Sequence, residues 1–178
     1  MGQIQNKIEK CIIFAVIMKR IVTKIGDIFC VDIGDNRKRY FQYIANDICQ
    51  LNSSTIRVFK TNYPLDGETN MDEIVADEVD FYTHTVLKIG IQDGLWLKVG
   101  NCKNVGHFDS IIFRSYQEWF PDDTPVGWYI WHLGDVDSHY IGKKLGDYSS
   151  ISEYGSVFPA SWVVDRIKYG KWLCKLPQ

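Results

Sequence analysis

The sequence predicts an α+β protein dominated by one strongly bent, mostly antiparallel sheet, small and barrel-like, with about two helices packed against it. Three observations lead there. Short runs of β-branched and aromatic residues alternate or stay apolar, Gly, Asp and Asn turns separate them, and two stretches carry helical periodicity with cap residues. No internal repeat, low-complexity tract or Ser/Gly/Pro linker cuts the chain. Residues 21–178 are therefore expected to form a single domain, with residues 1–20 as an N-terminal extension or first element.

The first strand is expected at 28–33, an apolar run between the turn residues Gly26-Asp27 and Gly34-Asp35-Asn36. Residues 39–45 alternate Tyr40, Gln42 and Ile44 with Phe41, Tyr43 and Ala45, which suits a strand folded back on the first. A third strand at 55–60 places Ile56 and Val58 on one face and Arg57 and Phe59 on the other, completing a meander. Asn70, followed three residues later by Glu73, resembles a capping box. Met71, Ile74, Val75 and Val79 follow at helical spacing, predicting a helix of about nine residues. Residues 83–91 and 95–99 flank Gln92-Asp93-Gly94 and read as two strands of a hairpin, with a helix over the first run as the alternative. Further short strands are expected at 110–114, 127–133 and 139–142. Pro159 and Gly170 frame a C-terminal helix whose apolar stripe includes Trp162, Val163 and Ile167.

At 178 residues and 46% hydrophobic, the chain can bury a core without disulfides or a structural metal. Its 20 Lys and Arg against 22 Asp and Glu leave a net charge of −2, without the basic excess of a dedicated nucleic-acid binder. Cysteines at positions 11, 30, 49, 102 and 174 are widely spaced and form no C-x-x-C pair. That pattern predicts reduced thiols and a cytoplasmic location, and makes the Asn52-Ser53-Ser54 sequon a chance occurrence. The apolar run 11–18 falls short of the roughly 20 residues that span a bilayer, so no membrane association is expected. Lys19-Arg20 stands where a cleaved signal would have small residues, and Met18 offers an alternative start that would make 1–17 an upstream extension.

Motifs for catalysis are missing: there is no two-His helix motif, glycine-rich phosphate loop or G-x-S-x-G elbow. No catalytic residue, metal ligand or cofactor is assigned, and the chain is not expected to be an enzyme. Asp135, Asp137 and His139 would share one face of a strand, but the stretch containing them reads better as a solvated loop between strands. His84 and His107 are expected to be hydrogen-bonded structural histidines. None of the cysteines has a neighbouring His or Asn to recommend it as a nucleophile.

Two features point to a partner instead. Between Lys60 and Lys88 there is no Lys or Arg, while Asp66, Glu68, Asp72, Glu73, Asp77, Glu78 and Asp80 contribute seven negative charges, leaving the rest of the chain at +5. Such a block produces a local negative field that steers a basic partner, although Asp72 and Glu73 also suit a helix N-terminus. The second feature is the Pro-bounded loop Trp119-Phe120-Pro121-Asp122-Asp123-Thr124-Pro125, followed by Trp128, Tyr129 and Trp131. Aromatic rings anchor interfaces, and only one side of an alternating strand at 127–133 is buried unless that strand is central. The neighbouring acids argue against single-stranded nucleic acid as the ligand of these rings.

Lys24-Ile25-Gly26-Asp27-Ile28-Phe29-Cys30-Val31, the turn Gly34-Asp35-Asn36 and Arg39-Tyr40-Phe41-Gln42-Tyr43-Ile44 resemble the opening of the immunity protein 26 family of bacterial polymorphic toxin systems. Asp80-Phe81-Tyr82-Thr83-His84-Thr85, Gly94-Leu95-Trp96 and Val99-Gly100-Asn101 are similar to later stretches of some members, so the resemblance covers about residues 20–115. It implies a cytosolic, non-enzymatic antidote that binds and blocks a toxin domain. The family supplies no catalytic residues. Combined with the acidic block, it predicts a binding surface of Asp72, Glu73, Asp77, Glu78 and Asp80, with Trp119 and Phe120 as anchors. The expected partner is a cognate toxin domain, a basic nuclease among the candidates, without direct contact to nucleic acid. The alternative is a small barrel endoribonuclease or nucleic-acid-binding module in which Arg37-Lys38-Arg39 meets phosphate.

Overall fold

Two strands and a two-residue turn start the structure. The computed structural model describes residues 21–118 and 125–177. β1 (Asp27–Gly34) and β2 (Arg37–Asp47) pair antiparallel across Asp35 and Asn36, whose φ angles are 51° and 54°. A loop with both central residues left-handed matches the twist of the flanking strands, and Asp and Asn tolerate that conformation better than other side chains. β3 (Ser53–Phe59) extends the meander on the other side of β2, and the short β4 (Tyr63–Pro64) pairs with the start of β2. β5 (Val79–Thr85) follows β3, while β6 (Leu97–Asn101) crosses to the outer side of β1.

A second sheet is built from β7 (Ile112–Gln117), β8 (Gly127–His132) and β9 (His139–Gly142), antiparallel in sequence. The chain then adds one parallel strand to each sheet: β10 (Ser152–Tyr154) beside β7 and β11 (Val157–Phe158) beside β5. The first sheet runs β11-β5-β3-β2-β1-β6 and the second β10-β7-β8-β9. The architecture is thus α+β, but it has two mixed sheets instead of one mostly antiparallel, barrel-like sheet. Among the described residues no barrel closes, because β11 and β6 end the strand order without pairing with each other.

The period-two alternation of the central strands sorts the core into layers. Phe29, Val31, Phe41, Tyr43, Ile56, Val58 and Phe81 form one cluster with Trp96 and with Val163, Val164 and Ile167 of the C-terminal helix. Ile28, Tyr40 and Phe59 form another with Ile74 and Val75. Farther along β2, Ile44 meets Ile111, Phe113, Trp131 and Leu133, so the second sheet rests on the first.

Among the described residues four helices appear instead of about two. α1 (Met71–Ala76) begins as expected, with Asn70 Oδ1 accepting the Asp72 amide at 2.9 Å, but ends after six residues. The carboxylate of Asp77 accepts from both the amide and the hydroxyl of Thr61 at 2.9 Å, and the chain turns there into β5. α2 (Leu87–Gln92) replaces the second half of the expected hairpin strand at 83–91. Gly94, at φ 67°, closes it: the Leu95 amide reaches Gly90 O at 2.8 Å and the Gly94 amide reaches Ile91 O at 3.2 Å, the pairing of a Schellman cap. α3 (Tyr148–Ile151) is a single turn the sequence pattern did not announce. α4 (Ala160–Tyr169) lies where Pro159 and Gly170 frame it, with Gly170 left-handed at φ 71°. Among the described residues no helix is long and apolar enough to cross a membrane.

Candidate partner-binding surface

The acidic block divides into two groups. Asp77 is bound to Thr61, Glu78 pairs with Lys60, and Asp80 accepts from Arg39 Nη2 at 2.7 Å. These three carboxylates hold β5 and its approach against β2 and the end of β3: Asp80 and Glu78 meet cations, whereas Asp77 is held by the neutral donors of Thr61 and keeps its charge. Asp66, Glu68, Asp72 and Glu73 are exposed and have no cation partner among the described residues. Asp72 and Glu73 stand on the first turn of α1, and Asp66 and Glu68 on the loop leading to it. Of the expected set Asp72, Glu73, Asp77, Glu78 and Asp80, only Glu78 and Asp80 meet a cation among the described residues, and the exposed Asp66 and Glu68 lie on the loop leading to Asp72 and Glu73.

Buried polar anchors beneath this surface fix its shape. Lys38 Nζ donates to Leu65 O at 3.0 Å and Gly67 O at 2.7 Å, which pins the 65–67 turn to β2. Tyr40 and Thr69 share a hydroxyl hydrogen bond of 2.8 Å at the approach to α1. Arg57 is buried on β3, where it donates to Gln42 Oε1 at 2.9 Å, to Asn104 O at 2.9 Å and to Val75 O at 3.4 Å. Burial lowers its pKa from the ordinary arginine range. Gln42 in turn donates to Cys102 O at 2.8 Å. This network links α1, the central strands and the segment after β6. Arg57 was marked by the sequence only as a member of an alternating strand, and its long-range acceptors have no local signature.

The basic triplet proposed for phosphate is divided in the same way. Arg39 is buried and donates from Nε and Nη2 to Phe59 O, from Nη1 to Ile167 O at 2.9 Å, and to Asp80. Lys38 is spent on the carbonyls of Leu65 and Gly67, so Arg37 alone is exposed. Two of three cations are thus removed from any phosphate-binding role, because the strand pairing carries them into the interior.

Rings at 128–131 are also withdrawn. Trp128, Tyr129, Ile130 and Trp131 are all buried, since β8 has a neighbour on both sides and is covered on both faces. The expectation that one set of these rings would be open to a partner does not hold. Trp119 and Phe120 lie outside the described residues, as does the apolar run 11–18.

His84 is fully buried and hydrogen-bonded, its Nε2 lying 3.0 Å from Asp47 Oδ2, which also accepts from Trp131 Nε1 at 3.1 Å. Burial alone would raise the Asp47 carboxyl, but hydrogen bonds from His84 and Trp131 and the charge of His84 outweigh it, and the pKa is lowered from its ordinary value of 3.8. His107, by contrast, is exposed in a loop, with no hydrogen bond among the described residues. Asp135 accepts the His132 amide at 2.8 Å and serves the turn after β8. Among the described residues no group of three or more His, Cys, Asp or Glu is arranged to hold a metal. Cys30, Cys49, Cys102 and Cys174 are free thiols. A recess of about 310 Å³ is lined by Val86, Ile89, Leu95, Val157, Phe158 and Pro159, with Asp93 as its charged residue.

No family model, curated protein or solved structure matches the chain.

Proposed function

We propose that this chain is a binding protein, acting by contact with another protein and not by catalysis. Within that class it is a cytosolic immunity protein that neutralises a cognate toxin domain, the role implied by its resemblance to the immunity protein 26 family. The observation that carries this reading is the set of four exposed acids, Asp66, Glu68, Asp72 and Glu73, left without internal cations on a surface anchored by buried polar side chains. An unpaired acidic surface on a rigid support accelerates encounter with a basic partner and selects against acidic ones. A toxin domain with a positive, phosphate-binding cleft, such as a nuclease, has the complementary charge.

The test begins with a tagged pull-down from the source cells, washed at low and then high salt, followed by affinity measurements on the recovered toxin domain. Reversing Asp66, Asp72 and Glu73 together to lysine is expected to weaken binding about 10- to 100-fold at low salt and to flatten its salt dependence. Unchanged affinity and unchanged salt dependence would overturn the acidic-surface reading.

A further inference from the structure

At one edge of the first sheet, β6 pairs with β1 on its inner side, and no described strand pairs with its outer side. Leu97 and Val99 are 67% and 43% exposed there. β6 is only five residues long and its ladder with β1 carries a register shift, but it contains no proline, and its one charge, Lys98, is tied back to the buried Asp27 at 2.7 Å. The C-terminal end of this strand runs directly beneath the acidic surface. Met71 of α1 packs so closely on Gly100 that a Cβ there would meet its sulfur at 2.6 Å, and Asp72 Oδ1 lies 3.9 Å from Cys102 Sγ.

We propose that β6 is a docking strand, and that the partner supplies an extended segment that pairs with its outer edge by main-chain hydrogen bonds. Such strand addition gains affinity from the backbone and specificity from side chains. The chemistry of the segment follows from what flanks the edge. Apolar side chains meet Leu97 and Val99, and Lys or Arg at the Gly100–Cys102 end meets Asp72 and Glu73. This rests on the proposed acidic binding surface and adds how the partner is held there. The acids supply encounter and orientation, and the free edge supplies a register.

A blocked ten-residue peptide of alternating valine and lysine serves as the probe, with a control of the same sequence N-methylated at every residue. Both carry the same charge, but the control cannot donate main-chain hydrogen bonds from either edge. With the full chain, the unmodified peptide is expected to bind and to protect the amides of residues 97–101 from hydrogen exchange. The methylated peptide should bind about tenfold or more weakly, as expected for the loss of two or three backbone hydrogen bonds. Equal binding of the two peptides, protection elsewhere than at β6, or no binding up to millimolar peptide would each overturn the docking strand. The acidic surface is judged separately by Asp72→Asn with Glu73→Gln. Salt-dependent binding lost in that variant but equal for both peptides leaves the acidic reading standing and removes the edge, whereas edge protection unaffected by that variant leaves the edge and removes the acids.

Discussion

Replacing Arg39 with methionine separates a structural arginine from a phosphate-binding one. The guanidinium is buried and serves three groups: Phe59 O at the end of β3, Ile167 O in the last turn of α4, and the carboxylate of Asp80. Ile167 O is among the helix carbonyls left without an intrahelical donor, so Arg39 acts as a buried cap and a cation at the negative end of α4. Methionine keeps the aliphatic packing but leaves two carbonyls without this donor and Asp80 without its cation. At about 1–2 kcal/mol for each buried carbonyl and about 1 for the partly exposed ion pair, the loss comes to about 3–5 kcal/mol. Urea denaturation measures it as a fall in midpoint with little change in slope. Arg39→Lys should lie between, because an ammonium retains the charge but cannot reproduce the fork. A loss below about 1 kcal/mol for Arg39→Met would refute the reasoning.

Three further outcomes are expected. Asp47 titrates lower in the folded protein than unfolded, so the stabilisation from its ionised form is complete above the unfolded pKa of 3.8 and is lost as pH falls through the depressed folded value. Asp47→Asn should flatten that acid-side decline in a series of denaturation curves between pH 2 and 6, and an unchanged decline would remove Asp47 from it. Gly90→Ala would place a Cβ 2.0 Å from Trp96 Cζ2, so thermal melting should fall by several degrees, an overpacking cost of about 1–3 kcal/mol, whereas a wild-type melting temperature would contradict the packing. Asp77→Ala should lower stability by about 1 kcal/mol through its bonds to Thr61, while Glu73→Ala should stay within about 0.5 kcal/mol, and equal effects would undo the division of the acids.

What the sequence revealed depended on how far apart the deciding residues lie. The meander of β1, β2 and β3 was legible because alternation and the Asp35-Asn36 turn are local signals. α4 was legible because Pro159 and Gly170 mark both ends. Asp93-Gly94 misled because the same dipeptide suits a hairpin turn and a helix C-terminus, and the choice was made by tertiary contact, with the bare Cα of Gly90 seated against Trp96. The burial of β8 on both faces needed a covering partner that its own pattern could not name. At the surface, the density of acids was plain, but their division was not. Asp80 meets Arg39 from 41 residues away, and Glu78 meets Lys60 from 18 away, so which carboxylates remain free was decided by strand pairing.

The two parallel strands near the end of the described chain bear on the order of assembly. β10 joins the second sheet and β11 the first, with only Gly155 and Ser156 between them. Each pairs with a strand far upstream, so each closes a long loop whose entropy must be met before its contacts form. The antiparallel parts of both sheets can assemble from nearer neighbours, whereas this short clasp binds two surfaces that must already be in place. This clasp is shared by both sheets, so pulling that segment free would open a new edge on each of them at once, along β7 and along β5.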